Sequence, residues 1–342
     1  MKKCFIGLFT ALLLVGMLGC KNGVESGGSS GSGGGGESNI STPYTKVGTQ
    51  TIGGIKYDIV TFGTFPQSEK NSTVSITSET KIVGSFTYYK GDDNEWYAEL
   101  KSKYYKVEPI KWRVLTTNYD HDGNASTPGK KLLLAESILI NCMYYDYDSV
   151  NRTISAATVY PNNYEHSRIR AYLNGLSYQK KARDSGNQES DETFVNKGFF
   201  QTAFTQAEQD AISETIVDNT KESLKDAAGY LSTSETFVCS NTKDKIFLLS
   251  EQEATKSDYG FAVYDQGGTG NTRIRMTTAF AQENGAFQDS TEGYGYGGHW
   301  WLRSPRYNDR NYARVVLHNG DVSHNGGVNN ISVDVVPALC LE

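Results

Sequence analysis

Lysine, glutamate, glutamine, methionine and tryptophan are all missing between Arg306 and Asp334, although each occurs elsewhere in this chain of 342 residues. Cysteine is scarce throughout, with five in all. Cys4 and Cys20 lie at the extreme N-terminus. Cys142, Cys239 and Cys340 are an odd set in apolar surroundings, none at C-x-x-C spacing. That pattern excludes a dense secreted disulfide framework and a thiol metal or redox site of that spacing, and predicts buried free thiols. A basic surplus is also missing. The formal net charge is −6 and the pI about 5.5, so the whole-chain field favours neither nucleic acid nor anionic lipid.

The apolar run from Phe5 to Leu18, behind Met1-Lys2-Lys3, is too short to span a bilayer and reads as a secretory signal over residues 1–19. It ends Met17-Leu18-Gly19-Cys20, which resembles the bacterial lipobox. The resemblance implies a lipidated Cys20 and attachment to a membrane by acyl burial. Residues 20–43 contain the almost pure Gly/Ser stretch Gly27 to Gly36, flanked by Glu25 and Glu37, with nothing to bury. This predicts a flexible tether. No second linker follows, so residues 44–342 are expected to form one large domain.

Within that domain, Ile55 to Phe62 alternates as a strand and ends in a turn, Gly63-Thr64-Phe65-Pro66-Gln67. Tyr88-Tyr89, Trp96-Tyr97 and Tyr104-Tyr105 predict hairpins around Gly91-Asp92-Asp93. Ile110 to Leu115 and Lys131 to Ala135 predict a strand pair. The intervening Asp120-His121-Asp122-Gly123-Asn124 lacks the remaining ligands of a calcium loop and reads as a solvated turn. Helices are predicted at Ser167–Asn174, with Ile169, Tyr172 and Leu173 on one face, and from a Thr205 cap through Ile212 and Ile216. Residues 184–196 and 219–234 read as polar loop or exposed helix. Ile246 to Leu249 predicts a strand and Glu251 to Ala254 a short helix, with a glycine-aromatic loop at Gly293 to Gly298.

The C-terminal region, about residues 299–342, has two apolar anchors, Trp300-Trp301-Leu302-Arg303-Ser304-Pro305 and Val335-Val336-Pro337-Ala338-Leu339. Between them, Val315-Val316-Leu317, Val322 and Val328 alternate with turn signals at His318-Asn319-Gly320-Asp321 and His324-Asn325-Gly326-Gly327, predicting strands joined by tight turns. Adjacent on a strand, Trp300 and Trp301 point to opposite faces, so one is expected in the core and the other on the floor of a site. Tyr312 precedes an apolar strand and is expected to be a core aromatic. His299, His318 and His324 have no carboxylate or cysteine at ligand spacing and read as solvated loop residues, with no metal.

The ordered motifs Phe62-Gly63-Thr64-Phe65-Pro66-Gln67, Ile110-Lys111-Trp112-Arg113-Val114-Leu115, Ser167-Arg168-Ile169-Arg170-Ala171-Tyr172-Leu173-Asn174, Phe247-Leu248-Leu249-Ser250, Trp301-Leu302-Arg303-Ser304-Pro305 and Val336-Pro337-Ala338-Leu339 resemble a bacterial domain family. That family has the C-type lectin fold of the formylglycine-generating-enzyme subtype. The resemblance implies an α+β fold of mixed antiparallel sheets with a few helices and much loop. Within the family, a lipoprotein with its variable segment at the C-terminus is most similar to the treponemal variable proteins of diversity-generating retroelements. Such elements rewrite template adenines. Changing only the adenines of AAC or AAT can give Asn, Asp, His, Tyr, Ser, Gly, Arg, Val or Ala, and never Lys, Glu, Gln, Met or Trp. Those five are all absent from 306–334.

The resemblance implies a fixed scaffold of Trp300, Trp301, Leu302, Arg303, Ser304, Pro305, Ala313, Val315, Val316, Pro337, Ala338 and Leu339. It implies a variable ligand-binding surface drawn from Arg306, Tyr307, Asn308, Asp309, Arg310, Asn311, Tyr312, His318, Asn319, Asp321, Ser323, His324, Asn325, Asn329, Asn330, Ser332 and Asp334. Tyrosines would give rigid contact area, small polar residues adaptable hydrogen bonds, and arginines charge-assisted pairs. The expected protein is a monomeric, surface-displayed outer-membrane lipoprotein without cofactor that binds an unidentified protein or cell-surface ligand. A formylglycine-generating oxidase would need paired active-site cysteines, and Cys239 and Cys340 lie far apart in sequence. A fixed, calcium-dependent lectin would need clustered carboxylates, and the segment offers Asp309, Asp321 and Asp334.

Overall fold

The computed structural model describes residues 43–147, 149–180, 191–224, 236–262, 272–289 and 297–342, with the His324 side chain excepted. The expected signal, Cys20 and most of the expected tether lie outside the described residues. So do parts of the two polar segments (181–190 and 225–235) and most of the glycine-aromatic loop (290–296). Residues Thr42 to Glu342 cluster as one unit. Strand outweighs helix, in an α+β arrangement that is mainly sheet.

The larger sheet is antiparallel. Seven strands come from the first part of the chain: β1 (Thr45–Ile52), β2 (Ile55–Glu69), β3 (Ile76–Val83), β4 (Phe86–Gly91), β5 (Trp96–Leu100), β6 (Lys103–Tyr119) and β7 (Lys130–Ala135). Long β6 pairs with β5, β2 and β7 along its length. The terminal strand Ala338–Leu341 then inserts between β7 and Ile246–Phe247. The turn expected at residues 63–67 is instead an irregularity inside β2. Gly63, at φ +70°, takes up the register shift between Thr61 and Thr64, and Pro66 continues the pairing opposite Val107. A Cβ at Gly63 would meet the Phe204 ring at 2.5 Å, so glycine is required twice over.

The second sheet has the order Val322–Gly327, Tyr312–Val316, Trp300–Pro305, Asp334–Val335, Ile140–Asn141, with one parallel pairing, Trp300 opposite Asp334. Val336-Pro337 carries the chain from this sheet into the larger one, where the Ala135 amide donates to the Pro337 carbonyl at 3.0 Å. Both Trp300 and Trp301 are fully buried. The expectation that one floors a site is therefore corrected: sheet neighbours and packed loops cover both faces of this central strand. Trp300 Nε1 donates to the Arg273 carbonyl at 3.1 Å, and Trp301 Nε1 to that of Cys142 at 3.2 Å.

Helix α1 (Arg168–Asn174) starts at Ser167, whose hydroxyl accepts from the Arg170 amide, and stops at Gly175 in the left-handed region. Its buried residues are Ile169, Ala171 and Leu173, while Tyr172 is half-buried. Helix α2 spans Phe199–Ala203. The Thr205 capping box with Glu208 opens α3 (Gln206–Ala211), but this helix ends before Ile212 and does not reach Ile216. Thr215–Val217 is a strand paired with Thr242–Asp244, in keeping with its β-branched residues. Helix α4 covers Glu251–Ala254 and α5 covers Ala279–Glu283. The described residues of the polar segments include a strand pair, Ser177–Tyr178 to Glu192–Thr193, and a 3₁₀ turn at Lys221–Leu224.

The motifs lock onto one another. Arg303 donates to the Leu248 carbonyl at 2.7 Å and pairs with Glu253, and the Arg303 amide donates to the Leu249 carbonyl at 2.9 Å. Asn174 Oδ1 accepts from the amides of Lys245 and Ile246. Arg113 is held by Glu136 in a two-point pair, and Trp112 Nε1 donates to the Phe62 carbonyl at 2.8 Å. Breaking a buried pair such as Arg303 with Glu253 costs about 3–5 kcal/mol, because it strands a charge.

Candidate ligand-binding surface

The predicted variable residues lie at two ends of one hairpin. Its strands, Tyr312–Val316 and Val322–Gly327, meet at the turn His318-Asn319-Gly320-Asp321, closed by the Leu317 amide donating to the Asp321 carbonyl at 2.8 Å. Gly320 sits there at φ +86°. Five residues of strand separate this tip from the opposite end by about 14 Å.

At the far end, Arg306 organises a cluster. Its Nε donates to Asn308 Oδ1 at 2.9 Å, its Nη1 donates to Asn325 Oδ1 at 3.3 Å, and its guanidinium stacks 5.2 Å from the centre of the Tyr312 ring. Tyr312 is thus half-buried under Arg306 and not in the core as expected. Tyr307, 41% exposed, stands beside the cluster, and Asn308, Asn325, Asn329 and Asn330 are exposed. Ser323 is half-buried and its hydroxyl accepts from the Asn325 amide at 3.3 Å. Asp309, Arg310 and Asn311 are half-buried on the flank. Arg310 reaches the Ser149 carbonyl at 3.2 Å, and Asn311 Oδ1 accepts from the Ser149 amide at 2.7 Å. Ser332 is half-buried in the following loop and its amide donates to Asn330 Oδ1 at 2.8 Å.

On its flank the 306–312 loop is tied down by its own Asp309, Arg310 and Asn311 side chains, and elsewhere its path is held by groups outside its side chains. Asn162, fully buried, points its Nδ2 at three main-chain carbonyls: Tyr312 at 3.0 Å, Asp309 at 3.1 Å and Arg306 at 3.5 Å. The Arg306 amide donates to the Tyr312 carbonyl at 3.0 Å, and the Val328 amide to the Asn311 carbonyl at 2.9 Å. None of these bonds constrains the side chains at 306, 307 or 308. Beneath them the scaffold is tight. A Cβ on Gly326 would sit 2.3 Å from Val315 Cγ1 and 2.6 Å from Trp301 Cζ3. Arg314, on the buried side of the hairpin, pairs with Glu251 at 2.8 Å.

At the tip, His318 Nε2 lies 3.1 Å from the Asp289 carboxylate, so the expectation of a simply solvated histidine is corrected. The His318 amide donates to His299 Nδ1 at 3.0 Å, and the His299 ring stacks on Phe287 with centroids 4.5 Å apart. Burial, reinforced by His318, lowers the His299 pKa to about 4, in keeping with a ring nitrogen that accepts a hydrogen bond. Asn319 and Asp321 bond each other at 2.7 Å. Asp334 belongs to neither end. It is fully buried, accepting from Asn141 Nδ2 at 2.8 Å and from the Phe287 amide at 3.1 Å, and burial pushes its carboxyl up to about 7. Its inclusion in a contact surface is corrected, since position 334 is a strand residue paired on both sides.

Asn162 is the residue that sequence reasoning missed, because nothing local marks an asparagine whose targets lie 144 to 150 positions away. The three remaining cysteines are free thiols, with Cys142 and Cys340 buried and Cys239 half-buried. Among the described residues, no cluster of three or more His, Cys, Asp or Glu side chains has metal-binding geometry, and no helix is long and apolar enough to cross a membrane. A family model described as a domain of unknown function, DUF6273, matches residues 128–342. Neither a curated protein nor a solved structure matches the chain.

Proposed function

The chain belongs to the DUF6273 family, and on that footing we propose that it is a lipid-anchored, surface-displayed binding protein whose 306–334 segment is diversified by adenine-directed retroelement mutagenesis. In this reading the fold is the C-type lectin fold of the formylglycine-generating-enzyme subtype, Cys20 carries the lipid in the outer membrane, and the ligand is a protein or cell-surface molecule. The observation that carries the reading is the division of labour around the 306–312 loop. Asn162 and main-chain bonds hold its path while Tyr307 and Asn308 face outward and Arg306 bonds Asn308 and Asn325 and stacks on Tyr312. A loop built this way tolerates exchange of its side chains without loss of shape.

The contact surface proposed is therefore narrower than composition suggested. It comprises Arg306 to Tyr312 with Ser323, Asn325, Asn329 and Asn330, and the tip residues His318, Asn319 and Asp321 form a separate patch. Tyr307 and the stacked Arg306–Tyr312 pair supply the rigid anchors that recognition surfaces favour. Deep sequencing of codons 300–341 across a growing population is the test. Adenine-confined substitutions are expected at 306–308, 325, 329 and 330, with Trp300, Trp301, Gly326, Asp334 and Pro337 constant. Uniform codons across the segment would overturn the reading.

A further inference from the structure

A cleft of about 300 Å³, separate from the hairpin, opens between α1 and the segments around Arg152 and Tyr178. Arg152 is 3% exposed and lines it. Its guanidinium lies over two rings, 4.4 Å from the centre of Tyr145 and 5.4 Å from that of Tyr178. Nη1 donates to the Gln179 carbonyl at 3.0 Å, while Nε and Nη2 have no hydrogen-bond partner. The Tyr178 hydroxyl, on a residue 2% exposed that also lines the cleft, makes no hydrogen bond of ordinary geometry, although the Asp146 carboxylate, with its own Oδ2 unpartnered, acts on it. Two buried donor groups without well-placed acceptors beside one cavity are costly.

Four other buried or half-buried guanidiniums are matched by carboxylates, whereas Arg273 and Arg275 bond main-chain carbonyls and Arg275 also leaves Nη2 unpartnered, but neither lines this cleft. Arg113 has Glu136, Arg303 has Glu253, Arg314 has Glu251 and Arg170 has Asp244. Asp146, whose field reaches Arg152, lies 3.7 Å from Arg168. A larger cleft of about 580 Å³ contains the Arg303–Glu253 pair, so its charge is balanced from within. The Arg152 cleft is not balanced in that way.

We infer that this cleft binds a small carboxylic acid, with its carboxylate taken by the unpaired edge of Arg152 and the Tyr178 hydroxyl. A guanidinium fork matches a planar carboxylate in two-point geometry. Glu165 and Asp191 at the rim disfavour a dianionic phosphate, and Arg170 is already committed to Asp244 and to the Glu165 carbonyl. The volume exceeds that of a bare anion, and Ser177 and Gln179 offer hydrogen bonds to a polar remainder. Binding requires a small rotation that turns the unpaired guanidinium edge off the rings and into the cleft.

The test is calorimetric titration of the full chain with acetate, lactate, glucuronate and glutamate, and with inorganic phosphate as the competing anion. At least one carboxylate is expected to bind, and Tyr178→Phe, which keeps the ring, is expected to weaken it about tenfold or more. Arg152→Lys should weaken it similarly by removing the fork, and Ser177→Trp, at an exposed rim position, should abolish it with the fold intact by circular dichroism. Absence of binding by all four acids would overturn the inference. So would affinity unchanged in Tyr178→Phe and Ser177→Trp, or phosphate binding as tightly as the best carboxylate. The site is independent of the 306–334 segment, so failure here leaves the reading of that segment untouched.

Discussion

Asp334 shows how a single residue can belong to a class by composition and to another by position. Aspartate fits the polar alphabet of the 306–334 segment, yet here it is a buried strand residue receiving two donors. Burial raises its carboxyl from the ordinary range to about 7, with the Asn141 and Phe287 donors only partly opposing it. The folded state thus holds this proton more tightly than the unfolded chain does. The sign follows: the stability owed to Asp334 is full below the unfolded pKa of about 4, declines between about 4 and 7, and stays lost above 7. Comparing urea unfolding of the wild type with Asp334→Asn, the wild type should lose stability relative to the variant by up to about 1.4 kcal/mol per pH unit across that window. A constant difference would contradict the assignment. The burial of Trp300 and Trp301 is the converse case. Strand alternation put them on opposite faces correctly, but it could not reveal that both faces of that strand are covered.

At the scale of elements, the hairpin and the loop before it were partly legible. The Asn-Gly signal at 318–321 placed the tip and the β-branched beats placed the strands, whereas His324-Asn325-Gly326-Gly327, read as a turn, continues the strand Val322–Gly327 because its backbone pairs with Tyr312 and Ala313. The Thr205 cap likewise marked a true helix start, because a cap is a local bond three residues long. What was not legible was anything set by distant partners. The extension of β2 through Pro66 depends on β6, the early stop of α3 comes where Ile212 bridges to Leu341, and the 306–312 loop depends on Asn162. That last dependence predicts that Asn162→Ala costs about 1–3 kcal/mol of stability through the loss of the two N–H donors that serve these carbonyls. Asn162→Asp should cost more, since a carboxylate would face three carbonyl oxygens. Asn308→Ala, by contrast, should change stability by no more than about 0.5 kcal/mol. Chemical denaturation of the three variants checks the order.

For the whole molecule, the relevant feature is the interlocking of the two sheets through the final residues. Ala338–Leu341 lies between β7 and Ile246–Phe247, so it carries main-chain bonds on both edges. The matched family region, 128–342, is in turn hydrogen-bonded to β6, which precedes it, and one continuous core joins them. A chain ended after Pro337 is therefore expected to lose cooperative unfolding altogether, not merely to soften. Circular dichroism melts should show no single sharp transition, and a retained native melt would refute the interlock.

The same arrangement sets an order of events during synthesis. Every other strand of the larger sheet leaves the ribosome before residues 338–341 do, so the sheet waits for its last member with Cys340 and its neighbours unmade. The segment 306–334 must be read through, in frame, before that member exists. A frameshift or stop codon anywhere in the hairpin deletes the piece that closes the larger sheet as well as altering the exposed loop. A copy shifted or stopped there would lack the closing strand, so an intact larger sheet reports that the hairpin was read in frame.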